Sequence, residues 1–121
     1  MESLDIQAFT YEQRRGLLPD LTAAFANCGG WLLERKTLSA TNMEFRVEIQ
    51  LGAVLDLYAA IISTGVELTR SGHEGLTELC TRRKHLQRNA ETGQIVAIRL
   101  EISFLDEISL HSLLASGSSL A

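Results

Sequence analysis

From Met43 to Gln50 apolar and polar residues alternate without a break: Met43, Phe45, Val47 and Ile49 against Glu44, Arg46, Glu48 and Gln50. A period of two is the signature of a half-buried strand. The same alternation runs through Val96, Ile98, Leu100, Ile102 and Phe104 against Ala97, Arg99, Glu101 and Ser103, and more weakly through Leu4, Ile6, Ala8 and Thr10. Trp31 to Leu38 reads as a further strand, joined to the strand at Met43 by the turn Ser39-Ala40-Thr41-Asn42. Val66 and Leu68 mark a short one.

Between these strands the period changes. Leu17, Leu18, Leu21, Ala24, Phe25 and Cys28 predict a helix over 17–28, with Pro19 in its first turn and Gly29 at its stop. Val54, Leu55, Tyr58, Ile61 and Ile62 share a stripe in a second helix over 51–64, ended by Gly65. A third helix is expected over 73–88, with Leu76, Leu79, Cys80 and Leu86 inward. A loop follows at 89–93. The order is strand, helix, strand, strand, helix, strand, then an added helix and strand. It predicts an α/β (α+β) fold, a two-layer sandwich of a four- or five-stranded, mainly antiparallel sheet with helices on one face. Its first six elements are the ferredoxin-like βαββαβ unit. The alternative is a permuted ferredoxin-like sheet, in which 3–10 is not a strand and the very apolar 94–105 takes its central place.

With 121 residues the chain is read as one domain over 1–105 and a Ser/Gly-rich tail over 106–121. A net charge of -4 argues against nucleic acid as a partner. No apolar run approaches the roughly 20 residues of a membrane helix. The start, Met-Glu-Ser-Leu-Asp, is not that of a signal peptide. Two cysteines, Cys28 and Cys80, on apolar helical faces fit buried free thiols and a cytoplasmic protein.

The stretch Gln13-Arg14-Arg15-Gly16-Leu17-Leu18, followed by Asp20, Leu21, an Ala-rich run and the pair Gly29-Gly30 ahead of Trp31, resembles the first loop and helix of ACT domains. The family's loop pattern is close to Asp-Arg-Pro-Gly-Leu-Leu, and the detailed likeness covers 13–33. ACT domains are small modules that bind amino acids and regulate the enzymes they belong to. The resemblance implies an ACT-like fold and a ligand site at Gln13, Arg14, Arg15, Gly16, Leu17, Leu18 and Asp20. Gln13 stands where the family has an acid and Arg15 where it has proline, so an anionic effector fits better than a zwitterion. Free N–H groups at a helix start favour an anion, and Gly16 would let a ligand approach the backbone. A homodimer is expected, because a small antiparallel sheet has open edges to cover and ACT domains do so by pairing side by side or face to face.

No catalytic set accompanies these residues: there is no nucleophile elbow and no phosphate loop. No cofactor or metal is implied. His73, Cys80 and His85 share a helix, but His85 points about 140° away from Cys80 at about 100° per residue. Arg82, Arg83, Lys84, His85 and Arg88 form a basic cluster, read as a solvated face or, alternatively, as a contact for an acidic partner or a phosphate. Glu44, Arg46, Glu48, Arg99 and Glu101 lie on the polar side of the sheet, either solvated or as the wet face of a dimer. Trp31 is read as core or interface packing. Two functional classes stay open: a small-molecule-binding regulatory module, and a non-catalytic dimerisation or interaction domain.

Overall fold

The structure, a computed structural model, describes residues 2–86 and 94–105, with side chains over 3–82 and 94–105. Five strands, β1 (Glu2–Thr10), β2 (Trp31–Thr37), β3 (Asn42–Gln50), β4 (Val66–Leu68) and β5 (Ile95–Phe104), form one sheet in the order β2-β3-β5-β1-β4. The helices are α1 (Arg14–Asn27), α2 (Val54–Ser63) and α3 (Arg70–Leu86). β5 runs parallel to β1, and every other pairing is antiparallel. The architecture is the expected two-layer α/β sandwich.

The sheet order departs from the ferredoxin-like one. β1 and β3 do not pair; β5 lies between them over their full length. Its inner side, Val96, Ile98, Leu100, Ile102 and Phe104, is wholly buried, as befits a strand with a neighbour on each flank. The permuted alternative was thus right about the place of β5 and wrong about 3–10, which pairs along β5 and at its end with β4.

One core holds the two layers together. Ile6 and Ala8 of β1, Phe45, Val47 and Ile49 of β3 and the inner side of β5 meet Leu17, Leu21 and Phe25 of α1, Leu57 and Ile61 of α2, and Leu76 and Leu79 of α3. Phe25 and Phe45 touch at a ring separation of 6.1 Å. Buried Thr10 closes the end of β1: its hydroxyl donates to the Gly65 carbonyl (2.8 Å) and accepts from the Glu12 N–H (3.1 Å).

Several helix details differ from expectation. α1 begins at Arg14, so Gly16 lies inside the helix and Pro19 in the second turn, where the helix bond to the Arg15 carbonyl has no N–H to make it. Residues 51–53 form one 3-10 turn before α2. The buried stripe of α2 is Val54, Leu57 and Ile61; Leu55 and Ile62 are exposed. α3 starts at Arg70, where the Thr69 side chain accepts from the Gly72 N–H. Of its expected inward residues, Leu76 and Leu79 are buried, Cys80 is half-buried, and the Leu86 side chain lies outside the described residues. So do the side chains of Arg83, Lys84 and His85, all of Arg88, the loop at 89–93 and the tail at 106–121. No helix among the described residues is long and apolar enough to cross a membrane.

α3 approaches β1 through Gly72 and Gly75. A Cβ at Gly72 would sit 2.9 Å from Ile6 Cγ2 and 3.2 Å from the Gln7 carbonyl oxygen, whereas one at Gly75 meets only the tip of Leu4, at 2.9 Å. A leucine tip can swing aside; backbone and a stiff β-branched side chain cannot. Gly72→Ala is therefore expected to destabilise by about 1–3 kcal/mol despite a helix-propensity gain of up to about 1 kcal/mol. Gly75→Ala is expected to fall within about 0.5 kcal/mol of the parent, because the cost of moving Leu4 aside and the propensity gain offset each other. Urea unfolding of both variants measures the contrast, and equal losses would refute it.

Candidate functional site

All three helices pack on the apolar side of the sheet, and the opposite side presents the polar half of every alternation. On that outer face the antiparallel register of β3 and β5 sets Glu44 opposite Glu101 and Arg46 opposite Arg99. Like charges directly opposite repel. The face resolves this along the diagonals. Arg99 Nε donates to Glu44 Oε1, and its guanidinium also reaches Glu101 Oε1 at 3.2 Å. Arg46 Nε stands 3.7 Å from Glu44 Oε2 and 3.7 Å from Glu34 Oε2 on β2. Asn42 Nδ2 donates to Glu101 Oε2 (2.9 Å) and to Ser103 Oγ (3.1 Å). Gln7 of β1 completes the ring around Glu101. The result is a continuous lattice over four strands, so well closed that Glu44 is only 3% exposed on a face that no helix covers.

The lattice shifts Glu101 and Arg99 in opposite directions, each toward its charged form. Hydrogen bonds from Asn42, and then the Arg99 guanidinium, hold the Glu101 carboxyl below its ordinary value of 4.5, although burial opposes this. Burial works against the charged guanidinium of Arg99; the bonds to Glu44 and Glu101 outweigh it and leave its pKa raised.

Beside the lattice the face is hollow. Ala97 and Ser3, which sit opposite each other on β5 and β1, are too small to fill the space between Arg46, Arg99, Asp5 and Leu33, and a depression of about 470 Å³ results. At its margin β2 carries a β-bulge between Leu32 and Glu34, and Leu33 at the bulge faces outward, 59% exposed. Trp31, opposite Glu48, is 68% exposed on the same face. It is not part of the core.

The residues expected to form a ligand site lie along the start of α1 and do not converge on one point. Gln13 is the N-cap in extended conformation, without a side-chain cap. Arg14 turns away from the helix start: its NH2 group donates to the Ala40 carbonyl (3.0 Å), and the guanidinium stacks 4.9 Å from the Phe104 ring centre. Leu17 is core. Gly16 has open space where a Cβ would stand, so its conformation does not demand glycine. Asp20 is exposed. Only Arg15 and Leu18 face a common groove, of about 680 Å³, floored by Pro19, Thr22, Ala23 and Ala26 and bordered by Arg35 of β2.

Asp5, Gln7, Leu33, Asn42 and Ala97 escaped the sequence reading of the outer face. Asp5, Gln7 and Ala97 carried a signal in their place on the outer side of an alternation; Asn42, at the end of a turn, and Leu33, at a bulge, carried none. Neither Cys28 nor Cys80 is in a disulfide, and both are half-buried; burial, and then the Asp56 carboxylate, push the Cys28 thiol up, away from the thiolate a nucleophile needs. The Tyr58 hydroxyl and His73 Nδ1 share a hydrogen bond between α2 and α3. Among the described residues no three His, Cys, Asp or Glu side chains are grouped to hold a metal ion. Comparisons with protein-family models, with curated proteins and with solved structures found no match to this chain.

Because Glu101 is held below 4.5, its ionised form stabilises the fold above that pH, and this stabilisation is lost as pH falls through the lower folded value. Asn42→Ala removes the first cause of the shift. Urea midpoints measured from pH 6 to pH 3 are expected to fall less steeply in Asn42→Ala than in the parent; equal slopes would contradict this assignment.

Proposed function

We propose that this domain is a non-catalytic interaction module that pairs with a second copy of itself through the outer face of its sheet. The observation that carries the reading is the closed charge lattice flanked by exposed Trp31 and Leu33. Covering a charge is costly when its partners are water, and much less so when they already sit in the same subunit. The lattice prepays that desolvation. Two exposed apolar side chains at its margin supply the contact energy that anchors interfaces. Acids and bases alternate over the face, so a copy related by a two-fold axis along β3 can set Arg99 against Glu34 and Lys36 against Glu101.

Light scattering over a dilution series tests it. The parent is expected to pass from monomer to dimer with rising concentration. Leu33→Lys is expected to weaken the dimer at least tenfold, with the unfolding midpoint of the dilute monomer unchanged. A parent that stays monomeric at every concentration would end the reading.

A second reading, an ACT-like regulatory module for a small anionic metabolite, rests on the start of α1. The helix has no side-chain cap and no acid in its first turn, and Arg15 and Arg35 border an apolar groove beside it without an ion pair among the described residues. Amides, dipole and cations there all favour a carboxylate. In a thermal-shift screen of organic acids, a ligand at 100 times its dissociation constant would stabilise by about 2.7 kcal/mol. The joint variant Arg15→Gln, Arg35→Gln should abolish the shift; a screen with no shift rejects this reading.

A further inference from the structure

Resting on the self-pairing proposed above, we infer that the outer-face hollow is the seat for Trp31 of the second copy, so that each subunit's indole fills the other's depression. Trp31 lies on the same face as the hollow but does not line it. It stands on β2, at the level of Glu48, while the floor of the hollow is Ala97 on β5, two strand spacings or about 10 Å away. A two-fold axis in the plane of the interface, midway between them, brings both indoles onto both hollows at once. Such an isologous exchange is the simplest closed pairing a single face can make.

Size and chemistry agree. A cavity of about 150 Å³ accepts a benzene ring, and the hollow offers about 470 Å³. Its floor is the methyl of Ala97, Leu33 gives an apolar wall, and the guanidinium groups of Arg46 and Arg99 stand at one side, where they can meet the face of an aromatic ring. Arg99 is held in place by Glu44 and Glu101, so it meets the indole pre-ordered. Two carboxylates at the rim, Asp5 beside Arg99 and Glu48 beside Ala97, are acceptors for the indole N–H. An indole buried this way is the kind of central aromatic anchor that dominates interface energetics.

The chain contains one tryptophan, so its fluorescence reports on this side chain alone. Emission maximum and acrylamide quenching are followed over a dilution series of the full chain, with light scattering on the same samples. Expected is a blue shift and loss of quenching that rise in step with the dimer fraction. Ala97→Phe, which fills the hollow, is expected to weaken dimerisation at least tenfold and to keep the emission red. Trp31→Ala, at a side chain exposed in the subunit and so without effect on its fold, should weaken the dimer equally. A dimer whose tryptophan stays fully quenchable, or one that either variant leaves unchanged, overturns the exchange while the self-pairing stands. A monomer at every concentration overturns both.

Discussion

The insertion of β5 between β1 and β3 is the constraint on which the rest of the structure depends. The first six elements leave β1 and β3 with no bond to one another, so without the last strand there are two ribbons rather than a sheet. β5 bonds to both along its length and contributes five buried side chains, from Val96 to Phe104, to the centre of the core. The price is long-range closure: the strand that joins the ribbons is the last to be made, and such non-local pairings are slow to form. Further ties secure it at both ends. The Leu51 N–H donates to the Gln94 carbonyl, and the Phe104 N–H to that of Thr41.

The same register that centres β5 dictates the chemistry of the outer face. Once Phe45 faces Leu100, Glu44 must face Glu101 and Arg46 must face Arg99. Two repulsive rungs become a neutralised lattice because the side chains are long enough to reach the diagonal, and because Asn42 and Gln7 occupy the remaining acceptor positions of Glu101. A shift of one residue would turn these charges into the core, so the lattice also opposes misregistry.

What was legible in the sequence follows from how local each cause is. The strict alternation of β3 and β5 declared both strands and the faces they bury, and the very apolar β5 hinted at a central place. The two-layer class followed from the element order. The burial of Glu44 could not be read, since it depends on which residues stand beside it across two strands. The stripe of α2 was misplaced by Leu55 and Ile62. Both are as apolar as Leu57 and Ile61, and only packing against α1 and α3 decides which pair is covered. At the start of α1, Gly16 suggested a turn, yet Gln13 caps the helix and the glycine is helical. Arg14 carried no sequence sign that it would spend its charge on the β2–β3 turn and the ring of Phe104.

The sheet has two edges, and neither invites another strand. β4 is three residues long, too short to template much. β2 is longer, but Glu34, Arg35 and Lys36 charge it and the bulge at Leu33 breaks its ladder. Growth of the sheet sideways is thereby opposed, which leaves the uncovered face as the surface to be satisfied. The bulge acts twice. By interrupting the edge it removes a run of regularly spaced donors and acceptors, and by adding one residue it brings Glu34 and Lys36 onto the same face as Trp31, where Glu34 reaches Arg46. A regular β2 that kept the pairing of Trp31 with Glu48 would lose both effects together: its edge would be open to pairing, and Leu33 would stand opposite Arg46 while Glu34 and Lys36 turned toward the core.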